Sequence, residues 1–556
     1  MFSEQVARDT TVLIPAAGRV PEGVLALSNI SNPAMIPVAG RPVIHWTMSY
    51  LRGLGFRKFV IAVARRGGFI EDFVHCAFGS TCEVEFITPS KPGGLGQTVL
   101  DLSRQVKSPR AMVVLGDTHF QLGNEPLPAD EPWVLVSKVE ESYRWCIART
   151  RADRTVEELK DKEHDLSGPL DALIGVYWFP DAAEFRDAAE AAARVADTET
   201  RPAEMKGVLE GVRKRRGLKA FQAAEWLDCG NPDRQAASHQ ALLQKREFNE
   251  LSIDPVLGTI TKRSRNVAKF VDEINYLRSL PVDLQVLFPR VLDFSTDAKA
   301  PFVTLEYYGY PSLSDAFVFE NVDPGIWERV FAHLKLLITQ GFMKHSAPLP
   351  KGAVEEMLVG KTRSRLASLQ GPPELAALVK HGGKVKVNGR ELDNLPASWD
   401  KIEAAVKDFA ARGHGSIIHG DLCFSNILYD LRSRICKLID PRGSFGPHGV
   451  TGDVRYDLGK LFHSVYGNYD FLVHDLFQVS LEGTSLTVDI RTRPSHRAIE
   501  ERFEKVFFQD GTFARKDALL VAGLLFSSML PLHSDAPKRQ LAMYGTALML
   551  LDEALR

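Results

Sequence analysis

His419, Gly420 and Asp421 stand together, Asn426 follows five residues after Asp421, and an apolar run then ends at Asp440 in KLIDPRG. Residues of these types at this spacing suit phosphoryl transfer, in which the protein contributes positioning and charge more than covalent chemistry. A carboxylate must orient the attacking hydroxyl and accept its proton, and Asp421 suits that role. Two hard oxygen donors must hold Mg²⁺ on the nucleotide phosphates, and the Asn426 amide and Asp440 carboxylate suit that one. A loop aspartate that caps a helix would account for Asp421 alone. It would not account for an Ile-Asp pair closing an apolar strand.

A second set of residues opens the chain. TVLIP (11–15) is an apolar, β-branched run followed by Ala16, Ala17 and Gly18. Such small residues let backbone amides approach a base or phosphate closely. AMVVLGD (111–117) ends a strand in Asp117, and open α/β sheets bind ligands beyond the carboxyl ends of their strands. PGGLGQT (92–98) is no P-loop, because Gly-Lys-Ser/Thr is missing.

HGDLCFSN and LIDPRG stand in the order of the aminoglycoside phosphotransferase and choline kinase family, which the chain resembles firmly over 415–465 and loosely over roughly 246–556. The resemblance implies a bilobal protein-kinase-like domain that uses ATP and Mg²⁺. It puts the phosphate-binding lysine at Lys262, with Glu273 in the next helix as its partner. It makes LEYYGYPSL (305–313) the hinge at which the segment bearing Glu306 and Tyr308 meets adenine. Asp453 and Asp457, in GDVRYDLGKL, would support the catalytic loop. A solvated face is the plainer reading of Lys262 and Glu273, as is lobe packing for Tyr307, Tyr308 and Tyr310. No glycine-rich phosphate loop stands out; Gly258 alone lies nearby.

LIPAAG, PAMIPVAGRPVI (33–44), AMVVLGD and EWLDCGNPD (225–233) resemble, in that order, motifs of the sugar-phosphate nucleotidyltransferases. The resemblance implies that Asp117 and Asp228 hold Mg²⁺ and that Ala16, Ala17, Gly18 and Arg19 meet the nucleotide. Gly94 and Gln97 would belong to the loop that reads the base. The sequence departs from the family where it lacks the usual Thr-Arg pair and carries Pro33 or Ala34 in place of a lysine. Arg19 or Arg41 would have to substitute, and a guanidinium is not an ammonium.

These residues need elements to hold them. Strands at 11–15, 58–64, 83–88 and 111–115 alternate with helices at 42–55, 68–78 and 96–106, the pattern of a mostly parallel, Rossmann-like sheet with crossover helices. Further strands are expected at 133–138 and 173–179 and a helix at 182–195. A helix at 232–248 would link the domains. Strands at 257–262 and 301–307 flank a helix at 266–279, and from about 325 the chain reads as helical, with one strand pair at 427–430 and 435–439. The fold class is therefore α/β, with a nucleotidyltransferase-like domain over 1–245 and a phosphotransferase domain over 246–556. The small lobe would span about 246–310 and the large lobe about 311–556.

A chain of 556 residues exceeds one hydrophobic core. Its net charge of −2 gives no basic footprint for nucleic acid. The six scattered cysteines form no metal-ligand spacing and read as reduced thiols of a cytoplasmic protein. The N-terminus has no signal-peptide pattern. Ala518–Leu532 is short for a membrane span and reads as a buried helix. Tyr466, Tyr469 and Phe471 are the only aromatics to suggest a cage for a quaternary ammonium, and core packing explains them as well.

The combined expectation is a bifunctional enzyme. One domain would phosphorylate a sugar, sugar acid, polyol or amino alcohol with ATP. The other would join the product to a nucleotide from CTP, GTP, UTP or dTTP, making a precursor for surface glycans. The alternative is a kinase with a catalytically degenerate binding or regulatory domain, and a third reading is a scaffold of two degenerate domains. Oligomeric state is left open, including a homo-oligomer.

Overall fold

The computed structural model describes residues 2–18, 32–64, 68–91, 94–164, 168–230, 234, 249–446 and 449–556. The chain divides into two compact units, Met1–Leu242 and Leu243–Arg556. The expected linking helix at 232–248 lies, apart from Arg234, outside the described residues.

The first unit is built on a ten-stranded mixed sheet. Glu83–Ile87, Lys58–Val63, Thr10–Ala16 and Arg110–Val114 are neighbours in that order and run parallel. Helices Val43–Gly53, Gly68–Phe78 and Gly94–Ser103 make the crossovers between them. Parallel strands covered on both faces are apolar throughout, and the central Thr10–Ala16 and Arg110–Val114 are almost entirely buried. The sheet continues through antiparallel Leu170–Phe179 and Trp133–Val139 to Lys219–Asp228 and Thr118–Leu122. Leu13 pairs with both Val60 and Val113. That register sets Ala16 and the turn after Val114 at one end of the sheet. Pairing of Asp228 with Thr118 brings a third chain to the same place.

The second unit begins with a four-stranded antiparallel sheet, in the order Asn249–Asp254, Thr259–Ser264, Phe302–Glu306, Val291–Ser295. Helix Val267–Ser279 packs Phe270 and Ile274 against Val303. The sequence reading anticipates the two inner strands only. The outer pair, NELSID and VLDFS, lack a continuous apolar run, and Leu292, Asp293 and Phe294 are exposed.

Beyond residue 310 the unit is mainly helical, with the expected hairpin at Ile427–Asp430 and Ile435–Leu438. One strand pair proves too few. Arg390–Asp393, Lys384–Val387, Ser485–Ile490 and Phe477–Glu482 form a second four-stranded sheet. Its strands alternate charged and apolar residues, as in KVKV, and bury one face only. Such short period-2 runs separated by long helices carry little sequence signal. Helix Pro537–Leu555 covers the apolar face, with Gly545 against Leu486 and Val488.

Helix Arg515–Met529 is buried on every side from Asp517 onward, which explains its apolar sequence without a membrane. No helix among the described residues is long and apolar enough to cross one. Phe471 is fully buried and Tyr469 stacks on His463, so both belong to the core.

Helix Val454–Val465 crosses Arg515–Met529 at Gly459, where a built Cβ would stand 2.2 Å from Val521 Cγ1. Overpacking of this kind costs about 1–3 kcal/mol. Gly459→Ala should therefore lower the unfolding free energy of the second unit by about that amount, measured by chemical denaturation.

Candidate active site

Asp421 sits in a loop whose backbone is held from below. The Asp457 carboxylate, wholly buried in helix Val454–Val465, accepts hydrogen bonds from His419 N at 2.7 Å and Gly420 N at 2.8 Å. Burial pushes its carboxyl up to about 7, against the pull of those two donors. Asp453 caps the same helix through Arg455 N, and Arg455 bridges it to Asp517. Gly420 has φ +76, and a Cβ there would meet Arg442 Cβ at 2.8 Å, so the turn requires glycine. His419 is buried and stacked on Phe288, and it accepts Asp421 N at Nδ1. Burial lowers its pKa to about 4, which keeps the imidazole neutral.

Lys460, one turn beyond Asp457, reaches the Asp421 carboxylate at 2.8 Å. The ammonium is buried, at 10% exposure, while the carboxylate is 41% exposed and open to solvent. Burial opposes ionisation of Asp421, but Lys460 outweighs it and holds the carboxyl well below its usual range.

Asn426 donates its Nδ2 to Asp421 O at 2.9 Å, which fixes the amide plane. The hairpin Ile427–Leu438 then returns the chain, and Ile439 N bonds Asn426 O at 3.0 Å. Asn426 and Asp440 are thus the two ends of one hairpin. Asp440 has a left-handed backbone, φ 56, a conformation that aspartate tolerates better than most residues. Its carboxylate, 49% exposed, receives Lys262 Nζ at 2.8 Å. The same ammonium holds both Glu273 oxygens, at 2.8 and 2.9 Å. The two carboxylates outweigh burial and raise the Lys262 pKa, while burial raises that of Glu273. Gly443, φ +70, lets the following turn approach the helix that bears Glu273; its Cβ would lie 2.4 Å from Asp272 O.

The residues singled out near 305–313 are tied to these parts. Tyr307 N bonds Gly258 O, and Tyr429 N bonds Pro311 O. Glu306 is engaged by the Tyr308 hydroxyl at 3.0 Å and by Arg290 at 2.9 Å. Lys437 Nζ stands 4.7 Å over the Tyr308 ring.

In the first unit, Asp117 follows the strand Arg110–Val114 and Asp228 ends Lys219–Asp228. Cys229 N bonds Asp117 O at 3.0 Å, Gly230 N bonds Asp228 Oδ1 at 3.0 Å, and a Cβ at Gly230 would lie 2.4 Å from Asp117 Oδ2. Burial, then the charge of Asp228, pushes Asp117 up to about 6. Ala16 packs beside Gly116, and Asn32 closes the loop by donating to Ala16 O at 2.9 Å. Ala17 is half-buried and Gly18 exposed at the same edge. Pro33 and Ala34 form a short 3-10 turn in which Ala34 is buried.

Gly94 and Gln97 lie on helix Gly94–Ser103. Gly94 abuts Ala203 O, and Gln97 is buried with its amide on Asp101 of its own helix. Arg19 lies outside the described residues, as do Pro92, Gly93 and 231–233 of the quoted motifs. Among the described residues no group of three or more His, Cys, Asp or Glu is placed to hold a metal. The oxygen donors in question are a carboxylate pair in the first unit and an amide with a carboxylate in the second.

No family model matches the chain, and no curated protein does. Among solved structures, HddC from Yersinia pseudotuberculosis is similar at 18% identity over 42% of this chain and 99% of its own, with a TM-score of 0.33. The same protein complexed with GMP-PN matches at 19% identity over 42% and 99%, with a TM-score of 0.33. A UDP-glucose pyrophosphorylase complexed with UDP-glucose matches at 17% identity over 43% and 99%, with a TM-score of 0.38. The matches fall on the N-terminal part of the chain.

Sequence reasoning missed Lys460. Its signal was present: a lysine three residues after Asp457, within a helix whose neighbouring positions are apolar. Arg442, Lys361 and Arg365 were also passed over, because a basic residue in a polar loop or on a helix turn reads as solvated.

Asp457→Ala removes the acceptor of two buried N–H groups. Each unsatisfied donor costs about 1–3 kcal/mol. The second unit should lose about 2–6 kcal/mol of stability in chemical denaturation, more than any surface aspartate substituted in the same unit.

Proposed function

We propose that the second unit is an ATP-dependent kinase of a small hydroxylated metabolite, and that the first unit transfers a nucleotidyl group to the phosphorylated product. The observation that carries the kinase reading is the single polar cluster of Lys262, Glu273 and Asp440, joined through the 427–438 hairpin to Asn426 and Asp421. Kinase chemistry needs these groups in one place: an ammonium for the nucleotide phosphates, its carboxylate partner, two oxygen donors and a base.

The acceptor's hydroxyl oxygen attacks the γ-phosphorus of ATP. Its bond to the oxygen bridging the β- and γ-phosphorus breaks, and ADP leaves. Asp421 orients the hydroxyl and takes its proton. Lys460 keeps Asp421 ionised and fixes its rotamer. Lys262, positioned by Glu273, meets the donor's phosphates. Asn426 and Asp440 would hold Mg²⁺, which supplies charge neutralisation on those phosphates.

In the first unit, a phosphate oxygen of the product attacks the α-phosphorus of a second NTP and pyrophosphate leaves. Asp117 and Asp228 are hard donors at neighbouring strand ends and would hold one Mg²⁺. The amides beyond Ala16 would approach the nucleotide. The product of one unit is then the acceptor of the other, giving a nucleotide-activated sugar, sugar acid, polyol or amino alcohol of the kind that surface-glycan assembly consumes.

One observation favours a second reading, in which the first unit only binds a nucleotide or sugar phosphate. Ala34 is buried where the resemblance expects a lysine, so that position supplies no cation. Purified full-length protein with MgATP, a hydroxyl panel and each NTP separates the two. Asp421→Asn should reduce ADP release by about 100- to 10,000-fold. Asp117→Ala should abolish pyrophosphate release while leaving ADP release intact. Pyrophosphate release that is absent in the wild type, or indifferent to Asp117→Ala, selects the binding-module reading.

The Lys460 ion pair also sets a pH dependence. A carboxyl whose pKa is depressed stays ionised until the solution is strongly acidic. Removing Lys460 takes away the strongest influence that lowers it, so that pKa rises. Lys460→Met should therefore move the acid limb of kcat/KM to higher pH as well as lower the rate, which a pH–rate profile measures.

A further inference from the structure

We propose that the acceptor carries an anionic group, a carboxylate or a phosphate, held by Lys361, Arg365 and Arg442 beside Asp421. This deepens the kinase reading of the second unit and rests on it. Lys361 and Arg365 stand one turn apart on the helix Lys361–Ala367. Lys361 Nζ lies 3.1 Å from the Tyr456 hydroxyl and 5.6 Å over its ring. Tyr456 is one turn ahead of Lys460 on helix Val454–Val465, so Lys361 is packed beside the residue that holds Asp421. Arg365 gives Nη1 to a neutral partner, Ser528 O, at 3.2 Å. Arg442 drapes over Gly420, its Cβ, Cδ and Cγ within 2.8, 3.4 and 3.6 Å of a Cβ built there. Its Nε is buried and has no hydrogen-bond partner among the described residues.

The charge balance sets these three apart. Lys262 and Lys460 each face carboxylates at 2.8 Å. Among the described residues, Lys361, Arg365 and Arg442 make no ion pair with a carboxylate, and Lys269 on helix Val267–Ser279 adds a further cation to the same field. Burial, together with the charges of Arg442, Lys460 and Arg365, lowers Lys361 to about 8. Burial raises the Tyr456 phenol, yet Lys361, Lys460 and Arg442 outweigh it and bring it to about 8. These half-buried cations share the field of one carboxylate, that of Asp421, so positive charge is in excess and a bound anion relieves it. Guanidinium groups match the planar or tetrahedral oxygens of carboxylate and phosphate. A neutral polyol would leave the charges unmatched, and a cationic amino alcohol would be repelled. The nucleotide's own phosphates are served by Lys262, which neither Lys361 nor Arg365 touches.

The test uses full-length protein with Mg²⁺ and AMP-PNP, and follows thermal unfolding with gluconate, glucose 6-phosphate, glucose or choline added. Gluconate or glucose 6-phosphate, the carboxylate and phosphate arms, should raise the transition of the wild type. Glucose and choline should not. In Arg365→Gln and in Lys361→Met the apparent dissociation constant of the effective acid should rise about 10- to 100-fold, the loss of one charge-assisted hydrogen bond. The shift produced by Mg²⁺ and AMP-PNP alone should persist in both variants. The proposal falls if choline or glucose stabilises better than both acids, if neither acid shifts the transition, or if the variants weaken AMP-PNP binding instead. Absence of any shift with Mg²⁺ and AMP-PNP in the wild type would refute the kinase reading itself.

Discussion

The buried carboxylate of Asp457 is the constraint on which the second unit's centre depends. It uses both oxygens on backbone N–H groups, those of His419 and Gly420. A carboxylate withdrawn from water is tolerated only when its oxygens are paired, and here the pairing fixes the two residues before Asp421. One helix thereby performs two tasks. Asp457 holds the loop's backbone, and Lys460, one turn on, holds the Asp421 side chain. Asp453 anchors the start of that helix to the buried helix Arg515–Met529 through Arg455 and Asp517. The position of Asp421 is therefore inherited from the helical core rather than from the loop itself.

Much of this was legible in the sequence, for identifiable reasons. The strands around Thr10–Ala16 are buried on both faces and announce themselves as apolar runs. His419, Gly420, Asp421, Asn426 and Asp440 are close in the chain and bear residue types with few roles in common. Asp457 was read as support for the loop, and the structure shows how. The four-stranded sheet containing Lys384–Val387 and Ser485–Ile490 was missed because one face of each strand is charged. Lys460 and Arg442 went unread because their meaning comes from partners 39 and 22 residues away, at Asp421 and Gly420. Gln97 has a polar partner that the sequence does not announce, Asp101 one turn on in its own helix.

The first unit solves a different problem with the same materials. Two strand ends from distant parts of the chain set Asp117 and Asp228 against each other, and the glycine at 230 permits the approach. Burial and then the charge of Asp228 raise the pKa of Asp117. A divalent cation at that point would remove the repulsion that the fold otherwise sustains.

Gly443 has a mechanical consequence. With no side chain, it seats the turn after Asp440 directly on the backbone of Asp272, next to Glu273. Lys262 ties Glu273 and Asp440 together on the other side. Helix Val267–Ser279 and the segment 440–443 are thus clamped at two points and would swing as a single rigid piece. Any hinge motion within the unit must pivot elsewhere, with this clamp carried intact.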